Sequence, residues 1–205
     1  MSPLRFLCTL LAIVPALGLA AELSAPVFLV ARADLPDPNF RDTVVLVTQH
    51  GAGGTIGMIV NRPTQVPVVR AIPELDGLAT TENVFAGGPV GRDRVVFVYR
   101  PPVAAQGVPE VLPGVYLSSK RDLLRSVLEQ ERTMNGVRVY MGLAGWSPDQ
   151  LQAEIDRGDW RLVPADARSI FSPRPETLWR DLDRRASQTQ ARRDAAPRLS
   201  SSLSP

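Results

Sequence analysis

The amino-acid sequence predicts an α+β protein with a strongly bent sheet that carries its helices on the outside. Three observations support this class. Segments with strand patterns outnumber segments with helix patterns. Many neighbouring strands are separated by short turn-rich links, as in hairpins. The strand–helix–strand rhythm of a doubly wound parallel sheet is missing, and the sequence contains no internal repeat.

The N-terminal half is predicted to consist mainly of strands. Two prolines between Asp34 and Phe40 exclude a helix there and indicate a turn-rich loop. A short helix is expected over Val68–Leu78, although Pro73 interrupts its pattern. Short β-branched or apolar runs bounded by turn residues are typical of strands. These runs are Ala25–Ala31, Thr43–Thr48, Thr55–Asn61, a short run within Glu82–Val90, and Arg94–Arg100.

The C-terminal half alternates strands with helices. Ser118 or Ser119 is expected to cap a helix that runs to about residue 131, with its apolar positions on one face. Ser147 and Gln150 form a capping box that predicts the start of a second helix, and Gly158 predicts its end. The remaining predicted elements are a proline-rich loop over Pro101–Pro113, strands near Val115–Leu117, Val137–Gly145 and Trp160–Ala165, and a last helix over Pro175–Arg185.

Residues 1–20 have the layout of a secretory signal peptide. Arg5 supplies the positive charge, and an apolar run from Phe6 to Leu19 leads to small residues near Ala20. Because this run is short for a bilayer span, we expect cleavage after Ala20 and no membrane span in the mature protein. The expected location is therefore the periplasm or the medium. A cytoplasmic location is the alternative if the start codon is misassigned.

Residues 22–186 are predicted to form one domain, and residues 187–205 a disordered tail without an apolar period. The formal net charge of +2 comes from the two ends, so the domain itself is near neutral. Such a body argues against nucleic acid as a partner, because nucleic-acid binders normally carry a basic face. Cys8 is the only cysteine and would leave with the signal segment. One histidine with scattered carboxylates gives no metal-ligand spacing, so we expect no metal and no cofactor.

The only histidine, His50, stands beside a glycine-rich loop, "QHGAGGTIG". A phosphate-binding loop must lead through glycines into a helix, whereas the segment that follows here is a predicted strand. The sequence therefore favours a hairpin. His50 could serve as a general base only with an orienting carboxylate, such as Asp37 or Asp42. No nucleophile motif accompanies it, so catalysis is not expected. A hydrolase-like site with His50 as base remains the alternative.

Several stretches, taken together and in order, resemble the YqgE/AlgH family of bacterial proteins. They are "FLVA" (Phe28–Ala31), "DPNFRDTVVLVTQH" (Asp37–His50), "GTIGMIVNRP" (Gly54–Pro63), "GGPV" (Gly87–Val90) and "GLAGWSPDQLQAEIDRGDW" (Gly142–Trp160). The resemblance covers roughly residues 27–185. It implies a bifurcated mixed β-sheet that forms a pseudo-barrel with helices packed outside. Family members commonly carry a tyrosine where this chain has Leu143.

The resemblance implies no reaction, because the family has no established enzymatic activity. A transcriptional-regulator label attached to the family is the second alternative. Neither a helix-turn-helix pattern nor the predicted export supports that label. We expect instead a non-catalytic binding or regulatory module for an unknown small molecule or protein. The glycine-rich strand ends are predicted to converge on one cleft, whose candidate residues are His50, Gly54, Gly57, Asn61, Arg62, Gly87, Gly88, Gly145 and Trp146.

Overall fold

The computed structural model describes residues 26–80, 82–101, 105–130 and 136–195, apart from the side chains of residues 49–51 and 192–195. The predicted signal segment and residues 196–205 of the predicted tail lie outside the described residues. The strands are β1 (Val27–Ala31), β2 (Val44–Gly51), β3 (Gly54–Ile59), β4 (Pro63–Pro67), β5 (Asn83–Ala86), β6 (Val90–Tyr99), β7 (Glu110–Leu112), β8 (Val115–Ser118), β9 (Val137–Trp146) and β10 (Trp160–Pro164). The α-helices are α1 (Val68–Ala71), α2 (Arg121–Gln130), α3 (Gln150–Asp156), α4 (Ala167–Ile170) and α5 (Leu178–Ala195). Single 3₁₀ turns cover Pro73–Leu75 and Pro175–Thr177.

The strands form one sheet that forks at β9. Its main path runs β10-β1-β2-β3-β9-β6-β8-β7, and β4 pairs with β5 beside this path. One edge of β9 pairs with β6, whereas the other edge is shared between β3 and β5. The β5–β9 pair is parallel, and the strand pairs along the main path are antiparallel. The sheet is therefore bifurcated and mixed, as the family resemblance implies.

Alternating side chains fill the inside and the outside of the curled sheet. A central core takes residues from β1, β2, β3 and β5–β10, which requires the sheet to curl around it. Along β6, for example, Val96 and Val98 enter this central core, whereas Val95 and Phe97 face outward. The strongly curled half-barrel confirms the predicted α+β class and the predicted bent sheet.

Helices cover both outer faces and the open side of the half-barrel. Leu124 and Leu128 of α2 pack on one outer cluster, and Leu151 of α3 packs on the other. Leu178 and Leu182 of α5 enter the central core itself and close it. Among the described residues, no helix has the length and apolar character needed to cross a bilayer.

Several elements of the structure differ from the sequence prediction. Strands β4 and β7 were not predicted, because β4 begins and ends with proline and β7 lies in a proline-rich segment. Helix α1 ends at Ala71, and a 3₁₀ turn replaces its predicted second half. Helix α3 begins at Gln150, later than the capping box predicts, because Asp149 adopts a left-handed conformation with φ of 64°. Helix α5 continues to Ala195, into the segment predicted to be disordered.

Candidate functional site

The three glycine-rich segments meet around β9, where the sheet forks. The backbone N–H of Gly87 donates to the carbonyl oxygen of Met141 at 2.7 Å. The carbonyl oxygen of Gly87 accepts from the N–H of Ile59 at 2.8 Å. Gly87 therefore links β3 to β9 at the fork. A Cβ atom on Gly87 would lie 2.3 Å from the carbonyl oxygen of Gly142, so only glycine allows this approach.

Close packing also explains most of the other predicted glycines. A Cβ atom on Gly88 would lie 2.2 Å from the carbonyl group of Leu143, and one on Gly54 would lie 2.4 Å from the carbonyl oxygen of Trp146. A Cβ atom on Gly57 would meet β2 at 2.8 Å. Gly145 differs, because it is exposed and its nearest neighbour would be 3.9 Å away. These glycines let backbones cross, which is the fold-level reason for their presence.

The fork leaves a cleft of about 300 Å³ beside this crossing. Its apolar wall is formed by Ile59, Val66, Val84, Phe85 and Met141. Its polar rim includes Asn39, Arg62, Thr64 and Arg92, and Gly88 and Pro89 form part of its backbone wall. Of the nine predicted residues, Arg62 and Gly88 are the two that line this cleft within the part of the chain that the structure describes.

Arg62 is half-buried at the rim of the cleft and fixes a neighbouring loop. Its Nη1 donates to the carbonyl oxygen of Asn39 at 2.7 Å, and its Nη2 donates to that of Arg41 at 3.0 Å. Burial lowers the pKa of the Arg62 guanidinium, while the charges of Asp42 and Asp37 act in the opposite direction. The Arg62 charge is thus partly desolvated at the rim of the cleft, and these two carboxylates offset part of that effect.

Asn61 is a structural tie behind the cleft. Its side chain is buried, and its Oδ1 accepts from the N–H of Val44 at 2.8 Å. Its Nδ2 donates to the carbonyl oxygen of Asp42 at 2.9 Å. Both bonds join the end of β3 to the start of β2, so Asn61 extends their pairing beyond the last ladder bond. The amide has its partners within the fold and does not line the cleft.

Trp146 belongs to an aromatic cluster in the outer core and not to the cleft. Its ring centroid lies 5.8 Å from that of Phe40 and 5.9 Å from that of Trp160. The indole N–H groups of Trp146 and Trp160 both donate to Oε2 of Glu154, each at 2.8 Å. The side chain of Trp146 is 4% exposed, so it offers no stacking surface.

His50 lies in β2 opposite Thr55, within the hairpin that the sequence predicts. The imidazole of His50 lies outside the part of the chain that the structure describes. Its predicted orienting carboxylates lie before β2, where Asp42 adopts a positive φ of 57°. Gly51 and Gly54 close the hairpin as opposite partners.

Sequence reasoning missed the other cleft residues, among them Thr64, Phe85, Arg92 and Met141. Phe85 and Met141 look like ordinary strand residues in the sequence, and their shared position depends on the β5–β9 pairing. Arg92 carried a usable signal, since it lies three residues after the glycine turn at Gly87–Pro89. Arg92 is exposed and makes no hydrogen bond or ion pair to another described residue.

Comparisons with known proteins agree with this architecture. The sequence profile of the family described as AlgH-like matches residues 28–190. A UPF0301 protein of Methylococcus capsulatus is 36% identical over 158 residues, which cover 75% of this chain and 86% of that protein. A UPF0301 protein of Chlorobaculum tepidum is 34% identical over 152 residues, covering 74% of this chain and 80% of that protein.

Two solved structures share the fold. The crystal structure of a Corynebacterium diphtheriae protein aligns with a TM-score of 0.63 and 28% identity, covering 78% of this chain and 86% of that one. The solution structure of the AlgH protein from Pseudomonas aeruginosa aligns with a TM-score of 0.63 and 27% identity, covering 84% and 93%. The relatives have no defined molecular function. The chain belongs to the AlgH-like family, also called YqgE/AlgH.

Proposed function

We propose that this protein is an exported, non-catalytic binding module whose ligand occupies the cleft at the fork of the sheet. The observation that carries the proposal is the composition of the cleft. Two arginines, Arg62 and Arg92, stand at its rim, and none of the described residues that line it is acidic. A small ligand with an anionic group and an apolar body fits this combination.

The two arginines would have different roles in binding. Arg62 already donates from both terminal nitrogens to backbone carbonyl oxygens, so it supplies a fixed positive charge. Arg92 has a free guanidinium and could form a bidentate pair with a carboxylate or phosphate. The side chains of Phe85 and Met141 would cover the apolar part of the ligand. The cleft size of about 300 Å³ suits a metabolite and not a folded partner.

The proposal is tested by a thermal-stability screen with small carboxylates and phosphate esters. A ligand at ~100 times its Kd stabilises the protein by about 2.7 kcal/mol, which raises the Tm by several degrees. We expect the Arg92→Ala variant to keep the Tm of the wild type without ligand and to lose most of this shift. Arg180→Ala, an exposed arginine on α5, is the matched control and should keep the shift. A ligand that stabilises wild type and Arg92→Ala equally would place binding elsewhere.

His50→Ala separates the binding proposal from the hydrolase alternative. A binding module should retain the ligand-induced Tm shift in this variant and should not cleave p-nitrophenyl esters above the background rate. Ester turnover that depends on His50 would support the hydrolase reading. Export is tested separately by N-terminal sequencing of the protein recovered from cells, where an intact Met1 would contradict it.

A further inference from the structure

A second groove, of about 450 Å³, lies between β10 and helix α5, away from the forked cleft. All five residues of β10 contribute to its wall. Arg185, Ala186 and Thr189 of α5 stand opposite, and Arg32 closes one end. The groove thus has an extended strand on one side and a helix on the other.

The edge of β10 that faces outward carries unpaired backbone groups. Strand β10 is at the end of the sheet and pairs only with β1 among the described residues. Just beyond the two ends of β10, the N–H of Arg32 donates to the carbonyl oxygen of Asp159 at 2.9 Å, and the N–H of Ala165 donates to the carbonyl oxygen of Pro26 at 3.1 Å. In an antiparallel pair, every second residue turns its N–H and C=O groups toward the partner strand. Because Asp159 and Ala165 bond toward β1, the backbone groups of Arg161 and Val163 also face β1. The N–H and C=O groups of Trp160 and Leu162 therefore point outward, where another strand could pair with them.

The groove also carries an excess of positive charge. Arg32, Arg161 and Arg185 line it, and none of its described lining residues is acidic. Arg161 pairs with Asp183, and Arg32 lies 3.9 Å from Asp34, whereas the guanidinium of Arg185 has no partner among the described residues. Burial lowers the pKa of Arg161, the charge of Arg32 acts in the same direction, and the charge of Asp34 acts in the opposite direction. The groove therefore carries positive charge in excess of its own carboxylates.

We propose that this groove binds an extended acidic segment of a partner protein, which adds to the sheet as a strand beside β10. Backbone hydrogen bonds to Trp160 and Leu162 would hold the segment, as in other cases of strand addition. Carboxylates on the segment would pair with Arg185 and its neighbours. Strand β10 offers room for about five residues, or ~17 Å of extended chain.

The positive charge of the groove favours an acidic segment over a second copy of this chain as its occupant. Two β10 edges placed side by side would bring like arginines together, which disfavours edge-to-edge pairing. Pro164 supplies no N–H at the end of the strand, so pairing is limited to the first part of β10. A chain with alternating acidic and apolar residues would meet both the arginines and the apolar residues that line the groove, which include Val163 and Ala186.

The test uses the full-length mature protein and a short fluorescein-labelled peptide in which valine and glutamate alternate. We expect saturable binding by fluorescence anisotropy that weakens as salt rises. Arg185→Glu should raise the Kd by about tenfold or more, since it replaces an attraction with a repulsion. Arg180→Glu, on the same helix but outside the groove, should leave the Kd unchanged. The same peptide N-methylated at alternate amides should not bind, because it cannot pair with an edge.

Four results would overturn the proposal. They are absence of binding at low salt, equal binding of the N-methylated peptide, and equal binding of a valine–lysine peptide. The fourth is a dimer in sedimentation velocity that Arg185→Glu dissolves, which would assign the edge to a second copy. Because the forked cleft contains neither β10 nor α5, loss of peptide binding in Arg185→Glu leaves the small-ligand experiment unaffected.

Discussion

Glu154 organises the aromatic cluster through one carboxylate. Its Oε2 accepts both indole N–H groups, and its Oε1 accepts from Nε2 of Gln150 at 2.9 Å. Glu154→Ala would leave two part-buried indole donors without an acceptor. We expect it to lower the free energy of unfolding by about 3 kcal/mol, measured by urea denaturation. The matched control is Glu129→Ala on α2, whose ion pair with Arg125 is exposed and should cost less than about 0.5 kcal/mol. Equal losses in the two variants would contradict the role of Glu154.

Tyr140 differs from Glu154, because its polar group has no partner. Its hydroxyl is fully buried and makes no hydrogen bond to any of the described residues. Removing an unpaired buried polar group stabilises a protein, so Tyr140→Phe should raise the free energy of unfolding by about 1 kcal/mol. Tyr116→Phe controls for the loss of a tyrosine hydroxyl elsewhere. A loss of stability in Tyr140→Phe, measured by urea denaturation, would show that the hydroxyl has a partner.

The burial of Tyr140 also predicts how the stability of the protein changes at alkaline pH. Burial raises the pKa of Tyr140 above its ordinary value, so the hydroxyl stays neutral in the folded state after unfolded tyrosine ionises. Above pH ~10 the folded state therefore binds more protons than the unfolded state, so the free energy of unfolding does not change with this group below pH ~10 and falls as the pH rises further. We expect wild type to lose stability above pH ~10 more steeply than Tyr140→Phe, in urea titrations at several pH values. Parallel curves for the two proteins would contradict this.

At the scale of elements, the crossing of β9 with the Gly87–Pro89 turn is the tightest point of the fold. Gly142 has a φ of 77°, and a Cβ atom there would lie 2.4 Å from the carbonyl oxygen of Gly88. Gly77 has a similar φ of 83° but open space around it. Gly77→Ala should therefore cost only the backbone strain, about 1 kcal/mol. Gly142→Ala should cost at least about 2 kcal/mol more by urea denaturation, because the β9 backbone must also move. Equal losses of stability in the two variants would show that the β9 backbone can move to accommodate the added Cβ atom.

The elements that the sequence predicts well are those whose pattern is local. Strands β2 and β6 are β-branched runs, and α2 carries an apolar face, so each is recognisable without its neighbours. Strand β4 is different, because it pairs with β5 at Pro63 and Pro67 and is stabilised as an edge. The extension of α5 is also not local, since Ala186, just beyond the predicted end of the helix, packs against the central core.

At the scale of the whole molecule, the candidate site depends on long-range pairing that no sequence period encodes. The glycine-rich segments were expected to form the cleft, but their glycines are used for the crossing itself. The cleft walls come instead from Phe85 and Met141, which neighbour each other only because β5 joins β9 in parallel. A sequence can therefore locate the fork through its glycines, whereas the adjoining wall requires the topology.

Helix α5 closes the open side of the half-barrel. Leu178 and Leu182 fill the open side of the central core, and Asp183 pairs with Arg161 on β10. Burying two leucines is worth about 3–6 kcal/mol, a large part of the ~5–15 kcal/mol that stabilises a typical domain. A chain that ends at Arg174 should therefore bind the dye ANS and lose cooperative unfolding in urea. A chain that lacks only residues 196–205 is the control and should unfold as the full chain does. Cooperative unfolding of the shorter chain at an unchanged midpoint would show that the sheet closes its core without α5.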